Sequence, residues 1–310
     1  MKNCVYILAL SSFLFGCYSG NSNENNSTGW ESANGTNCIL AVEDSIFIQA
    51  EFEPIDTFFD RSSIIERLQT KKENKHPLIV HVYVPLCDNE HQGIVPTTPS
   101  LGNGMSLKSN LYWATSGGTK AYFKKQSDWK LIYEGLDIDT NVLERVVFEK
   151  NYDDTKVYLV ADAYRGDRME ETVNDYLAAI SGNRPQTILL KDSSEVKVAD
   201  AADLIMFNGH NGVMDYIDVQ PWINLSDKRT DIVMNACVSY GYLQEEFMLA
   251  GGYPLVRSNS LLYPGAYVLE QIVDDWVVGI DEKQLCLNAG ATYCKKHDCG
   301  YGTKVYSSGW

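Results

Sequence analysis

Apolar positions fall along the chain in two alternating patterns: short β-branched runs and longer stretches with helical spacing. Leu78 to Leu86 (LIVHVYVPL) is nearly continuous and valine-rich, the pattern of a strand buried on both faces. Lys156 to Ala163 (KVYLVADA), Asp203 to Asn208 (DLIMFN), Asp231 to Asn235 (DIVMN) and Tyr253 to Ser258 read the same way, with Lys130 to Tyr133 as a shorter strand. Between them, apolar residues recur three and four apart. Met169, Val173, Tyr176, Leu177 and Ile180 share one helical face, and Leu269, Ile272, Val273, Trp276 and Val277 share another. Ser62 to Lys72 predicts a short amphipathic helix capped by Ser62 or Ser63, and Asn110 to Lys125 a further helix containing Gly117-Gly118. Ile39 to Phe52 predicts a strand or hairpin. Strands alternating with helices predict an α/β fold: a three-layer sandwich whose mostly parallel sheet carries helices on both faces.

The amino-terminal stretch has another character. Lys2 precedes an apolar run from Val5 to Phe15, too short to span a bilayer, which ends in Leu14-Phe15-Gly16-Cys17. That ending resembles a bacterial lipobox, in which the cysteine receives the lipid; the plainer alternative is a secretory signal that merely contains a cysteine. Residues 17–37, rich in Asn, Ser, Gly and Thr, read as a flexible tether. The expected organisation is a lipoprotein signal peptide over 1–16, the tether over 17–37, a strand and helix segment over 38–75, and an α/β domain over 76–310 with a helical, cysteine-rich end. Anchoring would run through acyl chains on Cys17 in the cell envelope. Tyr18, rather than Asp, after the lipidated residue favours the outer membrane.

Composition narrows the partners. Hydrophobic residues at 45% exclude a mainly disordered chain, and 41 acidic against 26 basic residues give a net charge of −15, which repels a phosphate backbone and argues against nucleic acid. Of the eight cysteines, Cys4 falls in the signal and Cys17 under the lipid. In an oxidising compartment the remainder invite disulfides, with Cys294 bonded to Cys299 or one of them to Cys286. A zinc site built from Cys294, Cys299 and His297 is the weaker rival, lacking a fourth ligand. No cofactor and no metal is called for.

In open α/β sheets, ligands bind beyond the carboxyl ends of the strands. DLIMFN is followed there by Gly209-His210-Asn211-Gly212, and DIVMN by Ala236-Cys237-Val238-Ser239. A histidine and a cysteine at two such ends suit a general base and a thiol nucleophile, with the N–H groups of Asn211 and Gly212 as oxyanion donors. Asp88 and Asn89, just after the first core strand, lie at the same edge and read as substrate-binding residues. The alternative is that they only organise their own loop.

A hydrophobic block ending in His-Gly, followed by one ending in Ala-Cys, resembles the caspase–hemoglobinase group of cysteine peptidases over roughly Leu78 to Ala291. The order continues as in that group, with Ala250-Gly251-Gly252, the strand Pro254-Leu255-Val256 and then an amphipathic helix. One departure is that Asn211 separates His210 from Gly212. The blocks around Leu86-Cys87-Asp88-Asn89, Gln92 to Pro96 and Asn110 to Trp113 also resemble uncharacterised bacterial proteins. The resemblance implies a caspase-like fold and a His210/Cys237 dyad acting on a peptide or protein substrate. With Asp88 offering a carboxylate, cleavage after Arg or Lys is expected. The alternative function is a non-catalytic binding or scaffold lipoprotein of the same fold.

Overall fold

The computed structural model describes residues 37–42, 46–51, 58–224, 226–300, 302 and 304–310. The signal peptide, Cys17 and all but the last residue of the tether lie outside the described residues. Strands β1 (Asn37–Val42) and β2 (Ile46–Glu51) pair as an antiparallel hairpin, which resolves the strand-or-hairpin alternative. They belong to one compact unit, 1–56, and Thr57–Trp310 forms the other. Among the described residues, no helix is long and apolar enough to cross a membrane.

The larger unit runs through α1 (Ser62–Glu73), β3 (Leu78–Pro85), α2 (Thr119–Phe123), β4 (Lys130–Leu136), β5 (Val142–Tyr152), β6 (Thr155–Tyr164), α3 (Met169–Ile180), β7 (Pro185–Leu189) and β8 (Glu195–Ala199). It continues through β9 (Leu204–Asn208), β10 (Thr230–Asn235), α4 (Gln244–Ala250), β11 (Gly252–Ser258), α5 (Ala266–Val278), α6 (Glu282–His297) and β12 (Tyr306–Ser307). Helix α1, read from sequence with the 38–75 segment, therefore folds with this unit. Its cap differs too: the cap residue is Arg61 rather than Ser62 or Ser63, and Asp60, one residue before it, accepts the Ser62 N–H at 2.9 Å.

Eight strands form one sheet in the order β12-β11-β10-β9-β3-β6-β5-β4. The sheet is mixed, so the mostly parallel sheet expected from the sequence is present only in part. The five strands from β11 to β6 run parallel, while β12, β5 and β4 join antiparallel. The two-residue turn Asp153-Asp154 between β5 and β6 is the physical reason on one side, since so short a connection permits only a hairpin. Strand β3 is buried along its whole length. Leu78, Val80, Val82 and Val84 enter one core with residues of α1, α5 and α6, while Ile79 and Tyr83 enter a second with residues of α3 and α4. The period of two thus feeds both faces of the sheet. The long helix expected over Asn110 to Lys125 shrinks to α2 after a run of turns. A side chain at Gly118 would lie 2.6 Å from the Trp113 backbone, so the chain doubles back there.

Candidate active site

Strands β9 and β10 pair in parallel register, Asn208 opposite Asn235. The two asparagines are buried and join: Asn235 Nδ2 donates to Asn208 Oδ1 at 2.7 Å. Asn208 Nδ2 donates in turn to the Pro264 carbonyl at 3.0 Å, and Tyr306 Oη donates to Asn235 Oδ1 at 2.8 Å. This amide chain fixes the height at which both strands end. His210 and Cys237 each follow two residues later, on neighbouring strands, and both line a cavity of about 580 Å³.

His210 is only 7% exposed, and its Nε2 lies 2.7 Å from Asp215 Oδ2. An ionised carboxylate only accepts, so Nε2 carries the proton and Nδ1 keeps a lone pair in the neutral ring. Asp215 sits on the short 3-10 helix Gly212–Asp215, and the same Oδ2 accepts the Gly93 N–H at 2.9 Å. Any side chain at Gly93 would collide with Asp215, because a Cβ there would lie 2.2 Å from Oδ1. Asp215 was not singled out from the sequence. Its only local signal is its position five residues after His210, and Gly93 is 122 residues away.

The Cys237 sulfur meets the backbone of one residue on both sides: the Leu262 N–H donates to Sγ at 3.4 Å, and the thiol donates to the Leu262 carbonyl at 3.4 Å. The turn presenting it is strained. Val238 adopts φ 48° and ψ 31°, a left-handed conformation that β-branched residues avoid. Ser239 holds that turn, donating to the Met234 carbonyl at 2.6 Å and accepting the Ser258 N–H at 2.9 Å.

Asn211 and Gly212, the expected oxyanion donors, lie behind the cavity wall. Both are buried, and neither lines the cavity. Asn211 Nδ2 donates to the Cys237 carbonyl at 2.8 Å, tying the histidine turn to the cysteine turn, while its buried Oδ1 has no partner. Gly212 is explained by packing, since a Cβ there would lie 2.1 Å from Met169 Cγ.

Asp88 and Asn89 are likewise absent from the cavity wall. Asp88 is buried, accepting the Glu90 N–H at 2.9 Å through one oxygen and meeting His91 Nδ1 at 3.0 Å through the other. Asn89 clasps Thr97, donating to its carbonyl at 2.8 Å and accepting its N–H at 3.0 Å. Both organise the loop after β3, and the Asp88 carboxylate is committed to the Glu90 N–H and His91 rather than facing the cavity.

Cys87 also lines the cavity, but burial pushes its thiol up to about 11, so it is protonated at neutral pH. A disulfide joins Cys294 to Cys299, which removes those thiolates from the zinc alternative. Among the described residues, no cluster of His, Cys, Asp and Glu is arranged to hold a metal.

No family model, curated protein or solved structure matches this chain.

Proposed function

We propose that the protein is a lipid-anchored cysteine hydrolase of caspase-like, three-layer fold, acting on peptides or proteins from the cell envelope. Cys237 is the nucleophile, His210 the general base and Asp215 the residue that positions it. The observation that carries this reading is that His210 and Cys237 border one cavity, each two residues beyond a register-matched asparagine on adjacent parallel strands.

In this mechanism His210 Nδ1 takes the Sγ proton and the thiolate attacks the carbonyl carbon, forming the C–S bond. As the C–N bond breaks, the imidazolium returns that proton to the leaving amine. Water, deprotonated by the same nitrogen, then cleaves the thioester, releasing the carboxylic acid and regenerating the thiol. Asp215 keeps the ring in the required tautomer throughout and stabilises its charged form.

A small electrophilic thiol probe tests this. At neutral pH it should modify Cys237 of the folded protein and leave Cys87 and Cys286, both buried, untouched. His210→Ala should slow that modification by at least about tenfold. An unreactive Cys237 in folded protein would leave a binding lipoprotein instead.

A further inference from the structure

The cavity beside Cys237 has a marked chemical bias. Ile94, Leu111, Tyr112, Leu262, Tyr263 and Tyr293 contribute to its wall, and no lining residue carries a carboxylate, guanidinium or ammonium group. The nearest candidates are committed elsewhere. Asp215 is taken up by His210 and Gly93, and Asp88 by Glu90 and His91. At the rim, Val95 and Leu261 stand 91% and 73% exposed. A volume of about 580 Å³ lies within the usual range of small-ligand pockets and exceeds the need of a short side chain.

We infer that this cavity receives a bulky apolar or aromatic side chain of an extended peptide, placing the neighbouring carbonyl at Cys237. The assignment rests on the hydrolase reading for the role of Cys237, but the pocket's preference stands on its lining alone. A lysine or arginine entering it would surrender its water with no carboxylate to receive the charge. An aspartate would meet the same deficit. A leucine or phenylalanine removes apolar surface from water on both sides, worth about tenfold to a hundredfold in affinity when buried. The protein's net charge of −15 draws basic peptides towards its surface, but it puts no counter-charge in this wall.

The test separates binding from turnover. Full-length Cys237→Ala protein, with Cys237→Ser as a second background, is titrated with blocked hexapeptides identical except for one central Phe, Leu, Lys or Asp. Fluorescence anisotropy should show the Phe and Leu peptides binding at least tenfold more tightly than the other two. Val95→Asp, on an exposed loop, should narrow that ratio by at least threefold by bringing a carboxylate to the rim. Equal binding, a preference for Lys or Asp, or no binding by any peptide overturns the inference. Failure of the thiol probe to reach Cys237 overturns the hydrolase reading separately, and leaves the binding ratio to be judged alone.

Discussion

Strands β9 and β10 end differently at their two edges. At the amino ends stand two buried aspartates, Asp203 and Asp231, each saturated with donors. Asp203 accepts from Arg67 at 3.0 Å, Lys71 at 2.5 Å and the Ile79 N–H at 2.9 Å. Asp231 takes a two-pronged Arg61 guanidinium, both contacts at 2.7 Å, and the Trp276 indole N–H at 2.8 Å. Every cation involved comes from α1 or its cap residue, so this edge is how that helix docks. At the carboxyl ends, by contrast, the Cys237 sulfur has among the described residues only two long 3.4 Å hydrogen bonds to the Leu262 backbone, and His210 is held through one nitrogen. Reactive groups left with spare valence beside a cavity can do chemistry; saturated ones build the fold.

That contrast breaks if the two edges respond alike to truncation. Asp231→Ala should cost about 3–5 kcal/mol, because it takes the two-pronged partner from the largely buried Arg61 guanidinium and leaves only Glu282, 3.9 Å away. The fraction that remains folded should keep its kcat. Cys237→Ala should do the reverse, abolishing hydrolysis while changing stability by less than about 1 kcal/mol. Urea denaturation and steady-state rates on the same two preparations check both halves. Lost activity in folded Asp231→Ala protein would mean that the two edges are coupled.

The histidines give a second contrast. His81 is fully buried in β3, with Nε2 against Asp162 at 3.0 Å and Nδ1 accepting the Ala199 N–H at 3.1 Å. Both nitrogens are used, and accepting at Nδ1 requires the neutral ring. Burial lowers its pKa, outweighing the attraction of Asp162. Asp162 itself is held below the usual carboxylate range: burial would raise it, but Arg145 and then His81 overcome that. Both shifts have the same sign. The unfolded chain binds protons that the native state refuses, so stability is full above the unfolded pKa values and falls on acidification. The loss should begin below about pH 6.5 for His81, at up to about 1.4 kcal/mol per pH unit, and steepen near pH 4 as the unfolded chain protonates Asp162. An NMR titration should find the His81 ring titrating below the ordinary histidine range, with the urea midpoint falling as the pH drops below about 6.5. A ring that protonates near pH 6.5 without loss of stability would contradict the sealed environment.

These contrasts also explain what the sequence could convey. Strands β3, β9, β10 and β11 and helices α1, α3 and α5 are legible because their cores are made of apolar side chains at regular spacing. Strand β5 was not anticipated, because buried charges interrupt its pattern. Glu144 accepts from Trp113 at 2.6 Å and from Lys120 at 2.6 Å, and Arg145 grips Asp162 at 2.6 Å through each of two nitrogens. Partners 17 to 31 residues away make those charges tolerable inside. The strand-end rule pointed to His210 and Cys237 because it depends only on where apolar runs stop. It could not separate Asp88, whose oxygens serve its own loop, from Asp215, whose oxygen serves His210. Both are acids near the same edge, and only the folded path of the chain distinguishes them.

The smallest effect is expected at Val238, where the contrast becomes one of strain. The amino edge is held by ion pairs, whereas the Cys237 turn places a β-branched residue at φ 48°. A left-handed conformation costs an L-residue roughly 1–2 kcal/mol, and glycine escapes that cost at an entropic penalty of about 0.5–1 kcal/mol. Val238→Gly should therefore stabilise the protein by up to about 1 kcal/mol. The relaxed turn would hold the sulfur less firmly, and small misplacements of reacting groups are expensive, about a hundredfold for roughly 1 Å. A fall in kcat of about tenfold, with a melting temperature equal to or above that of the parent, is the expected result. Rate and stability falling together would instead mark Val238 as a packing residue. An unchanged rate in a more stable protein would show that the strain is carried for no catalytic purpose.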